Sequence, residues 1–202
     1  MQPTFWDQRF SEDEPVYGHA PNEFFAEELS KLTPGKLLLP AEGQGRNAIH
    51  AAKMGWEVEA FDFSTKARED ALAEAERQGV SLTYRTMSYQ DLDLPVGYFD
   101  AVALVFAHMD PQLRPEVHGQ IARSLKPGGT LILEGFHKKQ LPLGTGGPKS
   151  EPMLFSQEEL TRDFNPYLAD LRIEQPRITL SEGPYHQGEA EVIRLVGRRD
   201  EE

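Results

Sequence analysis

The residues that could do chemistry follow the ends of short apolar segments. The first such segment, residues 37–39, leads into a turn with two glycines one residue apart, Gly43 and Gly45. Glycines at this spacing let the backbone approach a ligand closely, and the helix that follows presents unpaired N–H groups at its N-terminus. The second segment leads to Asp62, 17 residues after Gly45, where a carboxylate can accept hydrogen bonds from both hydroxyls of a ribose. Together these features predict a nucleoside-binding site.

These side chains need a sheet to hold them, and the hydrophobic pattern predicts one. Seven short apolar or alternating segments predict strands: residues 36–39, 56–61, 82–86, 101–106, 130–136, 170–179 and 190–198. Five segments, counted with their capping residues, predict helices: residues 22–32, 47–54, 64–78, 111–125 and 156–164. Alternating strands and helices are typical of parallel βαβ units, whereas the last two strands surround a Gly-rich turn and predict an antiparallel pair. The expected fold class is α/β: a Rossmann-like, doubly wound, mostly parallel seven-stranded sheet with a C-terminal antiparallel strand.

The glycine turn alone does not decide between nucleotide cofactors. Open α/β sheets bind ligands at the carboxyl ends of their strands, which is where this turn and Asp62 are expected. However, the pattern Gly43-x-Gly45-x-x-Ala48 also fits the dinucleotide-binding fingerprint with alanine as its third small residue. An oxidoreductase with an NAD-type cofactor is therefore one alternative.

Four segments in chain order resemble the motifs of class I S-adenosylmethionine-dependent methyltransferases. Residues 37–48 (LLLPAEGQGRNA) are similar to the first motif, and their Gly-Gln-Gly-Arg-Asn core is most similar to the tellurite-resistance-type small-molecule branch. Residues 58–64 resemble the second motif, 98–102 the motif before the fourth strand, and 125–133 the turn into the fifth strand. The resemblance spans residues 15–198. The dinucleotide-binding alternative requires neither the Lys-Pro-Gly-Gly turn nor the closing antiparallel pair.

This resemblance implies that S-adenosyl-L-methionine is the cofactor and S-adenosyl-L-homocysteine is the product. It implies that Asp62 holds the ribose and that Phe63 lies against the adenine. The cofactor-binding residues expected on this basis are Glu42, Gly43, Gln44, Gly45, Arg46, Asn47, Asp62, Phe63, Ser64, Ser88, Tyr89, Asp91 and Tyr17.

The chain departs from the family's pattern in the first motif and after the third strand. Leu39 stands where the first motif often carries an acid, and Ala41 stands where it often has glycine. Glu42 is the candidate carboxylate for the cofactor's ammonium group. After the third strand an acid usually meets the adenine amino group, and here the alternatives are Ser88, Tyr89 and Asp91.

Three histidines follow strands at the expected ligand edge. His108 follows the fourth strand, His137 follows the fifth, and His186 lies in the turn between the last two strands. A sulfonium methyl group is already activated, so the protein must align the acceptor with it and exclude water. An amine or hydroxyl acceptor also needs a base. We expect one of these histidines to orient or deprotonate the acceptor. They lack the short spacing of metal ligands, so no metal site is predicted.

Composition limits the partners. The chain has 202 residues, with 21 Lys plus Arg against 33 Asp plus Glu, which gives a net charge of −12. This charge repels a phosphate backbone, so no nucleic acid partner is expected. The absence of cysteine excludes disulfides and a cysteine nucleophile and fits a reducing compartment. The longest apolar run, residues 101–107, is shorter than the roughly 20 residues of a membrane helix. No signal peptide pattern is present. A cytoplasmic protein without membrane association is expected.

The chain is predicted to form one domain, with an N-terminal lid or helix segment at 1–34 and a methyltransferase core at 35–202. Trp6, Phe10 and Tyr17 are expected either to fold over the cofactor or only to anchor the first helix. The predicted function is methyl transfer to a small-molecule acceptor (thiol, chalcogen oxyanion, amine or hydroxyl) by in-line displacement. The alternatives are the NAD-type oxidoreductase and a non-catalytic S-adenosylmethionine-binding protein.

Overall fold

The computed structural model describes residues 3–11 and 16–200, with side chains from residue 7 onward. Its strands are β1 (Lys36–Pro40), β2 (Glu57–Asp62), β3 (Thr83–Thr86), β4 (Phe99–Val105), β5 (Leu125–Phe136), β6 (Leu168–Glu174), β7 (Arg177–Ser181) and β8 (Gln187–Arg199). They form one sheet in the order β3-β2-β1-β4-β5-β8-β6, and β7 also pairs with β8. Strands β1 to β5 run parallel, and β8 runs antiparallel to β5, β6 and β7. The expected α/β fold class is confirmed.

Helices cover both faces of this sheet. They are α1 (Pro3–Phe10), α2 (Glu23–Ser30), α3 (Arg46–Lys53), α4 (Thr65–Arg77), α5 (Arg114–Ser124) and α6 (Gln157–Phe164). Because side chains alternate along a strand, β4 contributes to two cores. Ala101 and Ala103 pack with α2, α3 and α4, whereas Val102 and Leu104 pack with α5 and α6. None of the helices in the described part of the chain is long and apolar enough to cross a membrane.

Three helices begin at the capping residues that the sequence indicates. Asn22, Ser64 and Ser156 each accept a hydrogen bond from the backbone N–H three residues later, over 2.9, 3.1 and 3.3 Å. Each cap satisfies an N–H group that has no partner inside its own helix. These caps fix the points where the chain leaves the sheet edge and turns into α2, α4 and α6.

The C-terminal part of the sheet differs from the prediction in its strand count. The single strand expected at 170–179 is divided into β6 and β7, so the sheet has eight strands rather than seven. The division falls at residues 175–176, where Pro176 has no N–H to donate to a neighbouring strand. Both pieces pair with the long strand β8. The β7–β8 turn, residues 182–186, therefore extends beyond the end of β5 at the ligand edge.

Candidate active site

The turn after β1 has an unusual backbone conformation. Ala41, Gly43 and Gly45 have positive φ angles of 51°, 63° and 86°. Glycine adopts this region freely, whereas Ala41 is strained there. The Gly43 N–H donates to Oδ2 of Asp62 over 3.1 Å, and the hydroxyl of Tyr84 donates to the Gly43 carbonyl over 2.6 Å. The turn is thereby tied to β2 and β3.

The two glycines of this turn have different neighbours. A Cβ atom at Gly45 would lie 2.7 Å from the Cβ of Ala71, so this glycine lets α3 approach α4. A Cβ atom at Gly43 would lie 3.4 Å from the ring of Phe10. The N-terminal segment therefore lies directly over the turn.

Glu42 is buried and caps α3. Its Oε1 accepts hydrogen bonds from the N–H groups of Asn47 and Ala48, both over 2.8 Å. Burial raises the pKa of Glu42 to about 7, although these hydrogen bonds oppose the shift. The carboxylate expected to face the cofactor's ammonium group is thus directed at the helix N-terminus.

Asp62 ends β2 and is buried at the ligand edge. Its Oδ1 accepts from the N–H of Ser64 over 2.9 Å, while its Oδ2 receives the Gly43 N–H. Burial raises the pKa of Asp62 to about 6. Each carboxylate oxygen can accept a further hydrogen bond, which leaves acceptor capacity for the two hydroxyls of a ribose.

The three adenine alternatives after β3 have different surroundings. Ser88 and Asp91 bond to each other, since the Ser88 hydroxyl donates to Oδ2 of Asp91 over 2.8 Å. The Tyr89 ring packs edge-on against Phe61 with centroids 5.8 Å apart. Its hydroxyl is buried and has no hydrogen-bond partner within residues 3–11 and 16–200. A buried unpaired hydroxyl is costly, so this position fits a polar ligand atom.

Three side chains of the first motif bind the N-terminal segment. Gln44 Oε1 accepts from the N–H of Val16 over 3.0 Å. Arg46 donates to the carbonyl of Tyr17 over 3.1 Å, and Asn47 Oδ1 accepts from the N–H of Asn22 over 2.9 Å. Three residues expected to bind the cofactor therefore also hold residues 16–22 at the sheet edge.

The other predicted residues of this edge lie near α4. Ser64 caps α4 and donates to the carboxylate of Asp7 on α1 over 2.5 Å. Phe63 is half-buried, and Phe10 is buried with Val16. The side chain of Trp6 lies outside the described residues.

His108 lies between two phenylalanine rings behind β4. Its centroid is 4.6 Å from that of Phe155 and 5.8 Å from that of Phe136. Nδ1 lies 2.9 Å from the carbonyl of Met153, and Nε2 accepts from the N–H of Phe136 over 3.0 Å. Burial lowers the pKa of His108 to about 4. Backbone groups therefore occupy both ring nitrogens.

His137 is bonded to the short 3₁₀ turn that follows it. Its Nδ1 accepts from the N–H of Lys139 over 3.1 Å and caps a short 3₁₀ turn. Burial lowers the pKa of His137, and the nearby Lys139 adds to this shift. The three histidines expected on one rim are therefore divided: His108 and His186 contact Phe136 from two sides, whereas His137 faces the 3₁₀ turn.

His186 is buried among aromatic rings at the ligand edge. Its ring centroid lies 4.5 Å from Tyr17, 4.6 Å from Phe106 and 5.3 Å from Phe136. Nδ1 lies 3.3 Å from Oε2 of Glu182. Although burial acts against ionisation, the hydrogen bond from His186 and the charge of Arg46 hold the pKa of Glu182 at about 2. The pair therefore consists of an ionised carboxylate and an imidazole, and burial lowers the pKa of that imidazole.

Sequence reasoning missed a buried polar network behind this pair. Asn22 donates to Glu134 over 2.7 Å and to Glu182 over 3.1 Å, and Arg194 donates to Glu134 over 2.5 Å. Glu134 and Arg194 face each other in the β5–β8 register. The available signal was an acid inside the otherwise apolar segment LILEGF, which needs a cationic partner when buried.

The comparisons with known proteins agree with the fold. A family model described as a methyltransferase domain matches residues 40–129. No curated protein matches the chain. Among solved structures, one that concerns the conversion of a disulfide bond into a thioacetal group during echinomycin biosynthesis is 19% identical with a TM-score of 0.73, and the alignment covers 98% of this chain and 89% of that one.

Two further structures share the fold. TehB from Haemophilus influenzae is 11% identical with a TM-score of 0.69, over 89% of this chain and 63% of that one. A phosphoethanolamine N-methyltransferase from Haemonchus contortus, bound to phosphomonomethylethanolamine and S-adenosylhomocysteine, is 15% identical with a TM-score of 0.67. The alignment covers 98% of this chain and 57% of that one. Residues 40–129 thus match an S-adenosylmethionine-dependent methyltransferase domain, and the solved structures share the fold over most of the chain.

Proposed function

We propose that this methyltransferase moves a methyl group to a small-molecule acceptor by in-line displacement. The observation that carries the proposal is the juxtaposition at one sheet edge of the glycine turn, the buried carboxylate of Asp62 and the aromatic residues around His186. Tyr17 connects the two sides, because its ring contacts His186 and its hydroxyl lies within reach of the charge of Asp62.

On the cofactor side, Asp62 accepts the ribose hydroxyls and Tyr89 offers its unpaired hydroxyl to the adenine. Gly43 and Gly45 keep the turn free of side chains, and Glu42 fixes the first turn of α3 through the Asn47 N–H. The remaining residues of the proposed cofactor site are Gln44, Arg46, Phe63, Ser64 and Tyr17. Ser88 and Asp91 support the turn that carries Tyr89.

On the acceptor side, the bound cofactor supplies a methyl group activated by its sulfonium sulfur. The chain aligns the acceptor and excludes water. Tyr17, Phe106 and Phe136 supply an apolar wall around His186.

The acceptor class covers thiols, chalcogen oxyanions, amines and hydroxyls. The Gly-Gln-Gly-Arg-Asn core keeps the tellurite-resistance-type branch within the proposal, and TehB is among the structural neighbours. Residues 1–34 are proposed as the segment that covers the site and 35–202 as the core. A cytoplasmic location belongs to the same proposal and is tested by cell fractionation.

Cofactor binding is tested by calorimetry with S-adenosylmethionine, S-adenosylhomocysteine and NAD. We expect the first two to bind and NAD not to bind. Asp62→Asn should weaken S-adenosylhomocysteine binding by about 10- to 100-fold, the range of a hydrogen bond to a charged group. Asp93→Asn, an exposed acid of the loop after β3, is the matched control. Binding of NAD alone would favour the oxidoreductase instead.

Catalysis is tested with a labelled methyl group and a screen of thiols, tellurite, selenite, amines and phenols. Repeated turnover with one of them supports the enzyme. Binding of S-adenosylmethionine without turnover on any of them would favour a non-catalytic binding protein.

A further inference from the structure

Hydrogen bonds assign different protons to the three edge histidines. The Met153 carbonyl only accepts, so Nδ1 of His108 carries a proton, and its Nε2 already receives a backbone N–H. Nδ1 of His137 receives a backbone N–H, so in the neutral ring the proton sits on Nε2. Glu182 is ionised and fixes a proton on Nδ1 of His186. The lone pair of His186 therefore lies on Nε2, and no described residue donates a hydrogen bond to that atom.

Two of the charged side chains beside His186 neutralise each other. Glu182 lies at Nδ1, and Arg46 donates to the same carboxylate over 3.0 Å. Arg9 also acts on His186 through its charge, and the titratable side chains Tyr17 and His108 lie nearby. A negatively charged acceptor needs a cation with hydrogen bonds to spare. Because Arg46 is bound to Glu182 and Arg9 lies over the ring of Tyr185, the surroundings favour an uncharged acceptor.

We infer that His186, oriented by Glu182, is the base that takes the proton from an uncharged acceptor carrying an S–H or O–H group, such as a thiol or a phenol. This inference rests on the proposed methyl transfer. It goes further by choosing one histidine and one acceptor class. Tyr17, Phe106 and Phe136 provide rings against which an apolar or aromatic acceptor packs.

The step balances without a further reactant. The acceptor sulfur or oxygen forms its bond to the methyl carbon as its proton moves to Nε2 of His186. The bond from the methyl carbon to the sulfonium sulfur breaks, and its electron pair stays on that sulfur, which becomes a neutral thioether. The carboxylate of Glu182 stabilises the imidazolium, which afterwards releases its proton to water.

The activity test compares acceptors of similar size and different acidity. A phenol is paired with its nitro-substituted, more acidic counterpart, and an alkyl thiol with an aryl thiol. His186→Gln should lower kcat/KM for the weakly acidic member by about 100-fold or more, the usual contribution of a general base. The loss should be much smaller for the acidic member, which is already ionised. His137→Gln, whose ring faces the 3₁₀ turn, should retain wild-type rates with both.

A second measurement does not depend on turnover. Nuclear magnetic resonance of the imidazole nitrogens in the ligand-free protein should find His186 with its proton on Nδ1 and His137 with its proton on Nε2. Since burial lowers the pKa of His186, its ring should be neutral at pH 7. His186 with its proton on Nε2, or charged at pH 7, would overturn the inference.

The outcomes separate the inference from the proposed function. An equal loss on all acceptors in His186→Gln, or a preference of the wild type for tellurite or selenite, overturns the role of His186 or the acceptor class but keeps the methyltransferase. A wild-type protein that binds S-adenosylmethionine and methylates none of the acceptors overturns both.

Discussion

Two clusters in this protein each combine a histidine, a carboxylate and an arginine. The edge cluster consists of His186, Glu182 and Arg46. The helix cluster, between α5 and α6, consists of His118, Asp163 and Arg114. The histidine Nδ1 lies 3.3 Å from the carboxylate in the edge cluster and 3.0 Å in the helix cluster. The arginine lies 3.0 Å and 2.9 Å from the same carboxylate. The internal geometry alone therefore does not distinguish a site from a structural cluster.

Their surroundings differ. His118 stacks on Phe164 with centroids 4.5 Å apart, inside the α5–α6 layer. Three atoms of the helix cluster, Nε2 of His118, Nη1 of Arg114 and Oδ1 of Asp163, are buried without a hydrogen-bond partner in the described part of the chain. In the edge cluster, Arg46 and Glu182 instead line a cavity, and Arg46 directly follows the turn after β1. In the proposed function, position at the carboxyl edge of the sheet gives this cluster access to a ligand.

The largest expected effect is on the stability of the helix cluster. Asp163→Ala should lower the free energy of unfolding by about 3–5 kcal/mol, because it leaves the buried Arg114 without its main anionic partner. Urea unfolding measures this as a shift of the midpoint. The rate of methyl transfer per folded molecule should stay at the wild-type value. If Asp163→Ala fails to fold, Asp163→Asn keeps the side-chain volume and should give a smaller loss in the same direction.

Glu182→Ala is the corresponding change in the edge cluster. It should cost about 1–3 kcal/mol of stability, since Arg46 retains two backbone carbonyls as partners, and it should lower methyl transfer. A larger stability loss in Glu182→Ala than in Asp163→Ala would contradict the contrast between the two clusters.

The next effect concerns the segment that the edge cluster holds. Arg46→Gln removes the hydrogen bonds to the carbonyls of Tyr17 and Ala20 and the ion pair with Glu182. A loss of about 1.5–3 kcal/mol should speed amide hydrogen exchange in residues 16–22 by about 10- to 100-fold. Arg68→Gln, which loses a comparable bond to the Tyr84 carbonyl, should leave that segment unchanged. Unchanged exchange in Arg46→Gln would show that other contacts hold the segment.

The sequence indicates the proposed cofactor side more readily than the proposed acceptor side, for a physical reason. The glycine turn and Asp62 lie within 20 residues of each other, and the backbone conformation of the turn determines where its glycines stand. The acceptor side combines Tyr17, Phe106, Phe136 and His186, which only the tertiary fold brings together. The sequence pattern shows that a histidine follows a strand. It does not show that both ring nitrogens of one such histidine, His108, are already bonded to backbone groups.

A smaller effect is the pH dependence that the helix cluster contributes. Burial lowers the pKa of His118, although Asp163 opposes the shift, while the charge of Arg114 adds to it. Below pH 6.5, the ordinary value for histidine, the unfolded chain binds a proton that the folded protein resists. Stability from this source is therefore present above pH 6.5 and lost as pH falls, with a slope of at most about 1.4 kcal/mol per pH unit.

Unfolding of the wild type and His118→Gln between pH 7.5 and 5 checks this contribution. The wild type should lose more stability than the variant over that range. The carboxylate of Asp163 does not interfere, because its lowered pKa places its own contribution at more acidic pH. Parallel stability curves would mean that His118 binds its proton equally in both states.

The smallest effects come from two equivalent helix caps, one in each region. Ser64→Ala and Ser156→Ala should each cost about 1 kcal/mol in urea unfolding, because each removes one cap. Ser64 also donates to Asp7 on α1, which covers the turn at Gly43. Ser64→Ala should therefore weaken S-adenosylhomocysteine binding in calorimetry, whereas Ser156→Ala should not. Equal binding by both variants would mean that α1 closes over the turn without help from α4, and the edge cluster with Arg46 would then be the main support of the N-terminal segment.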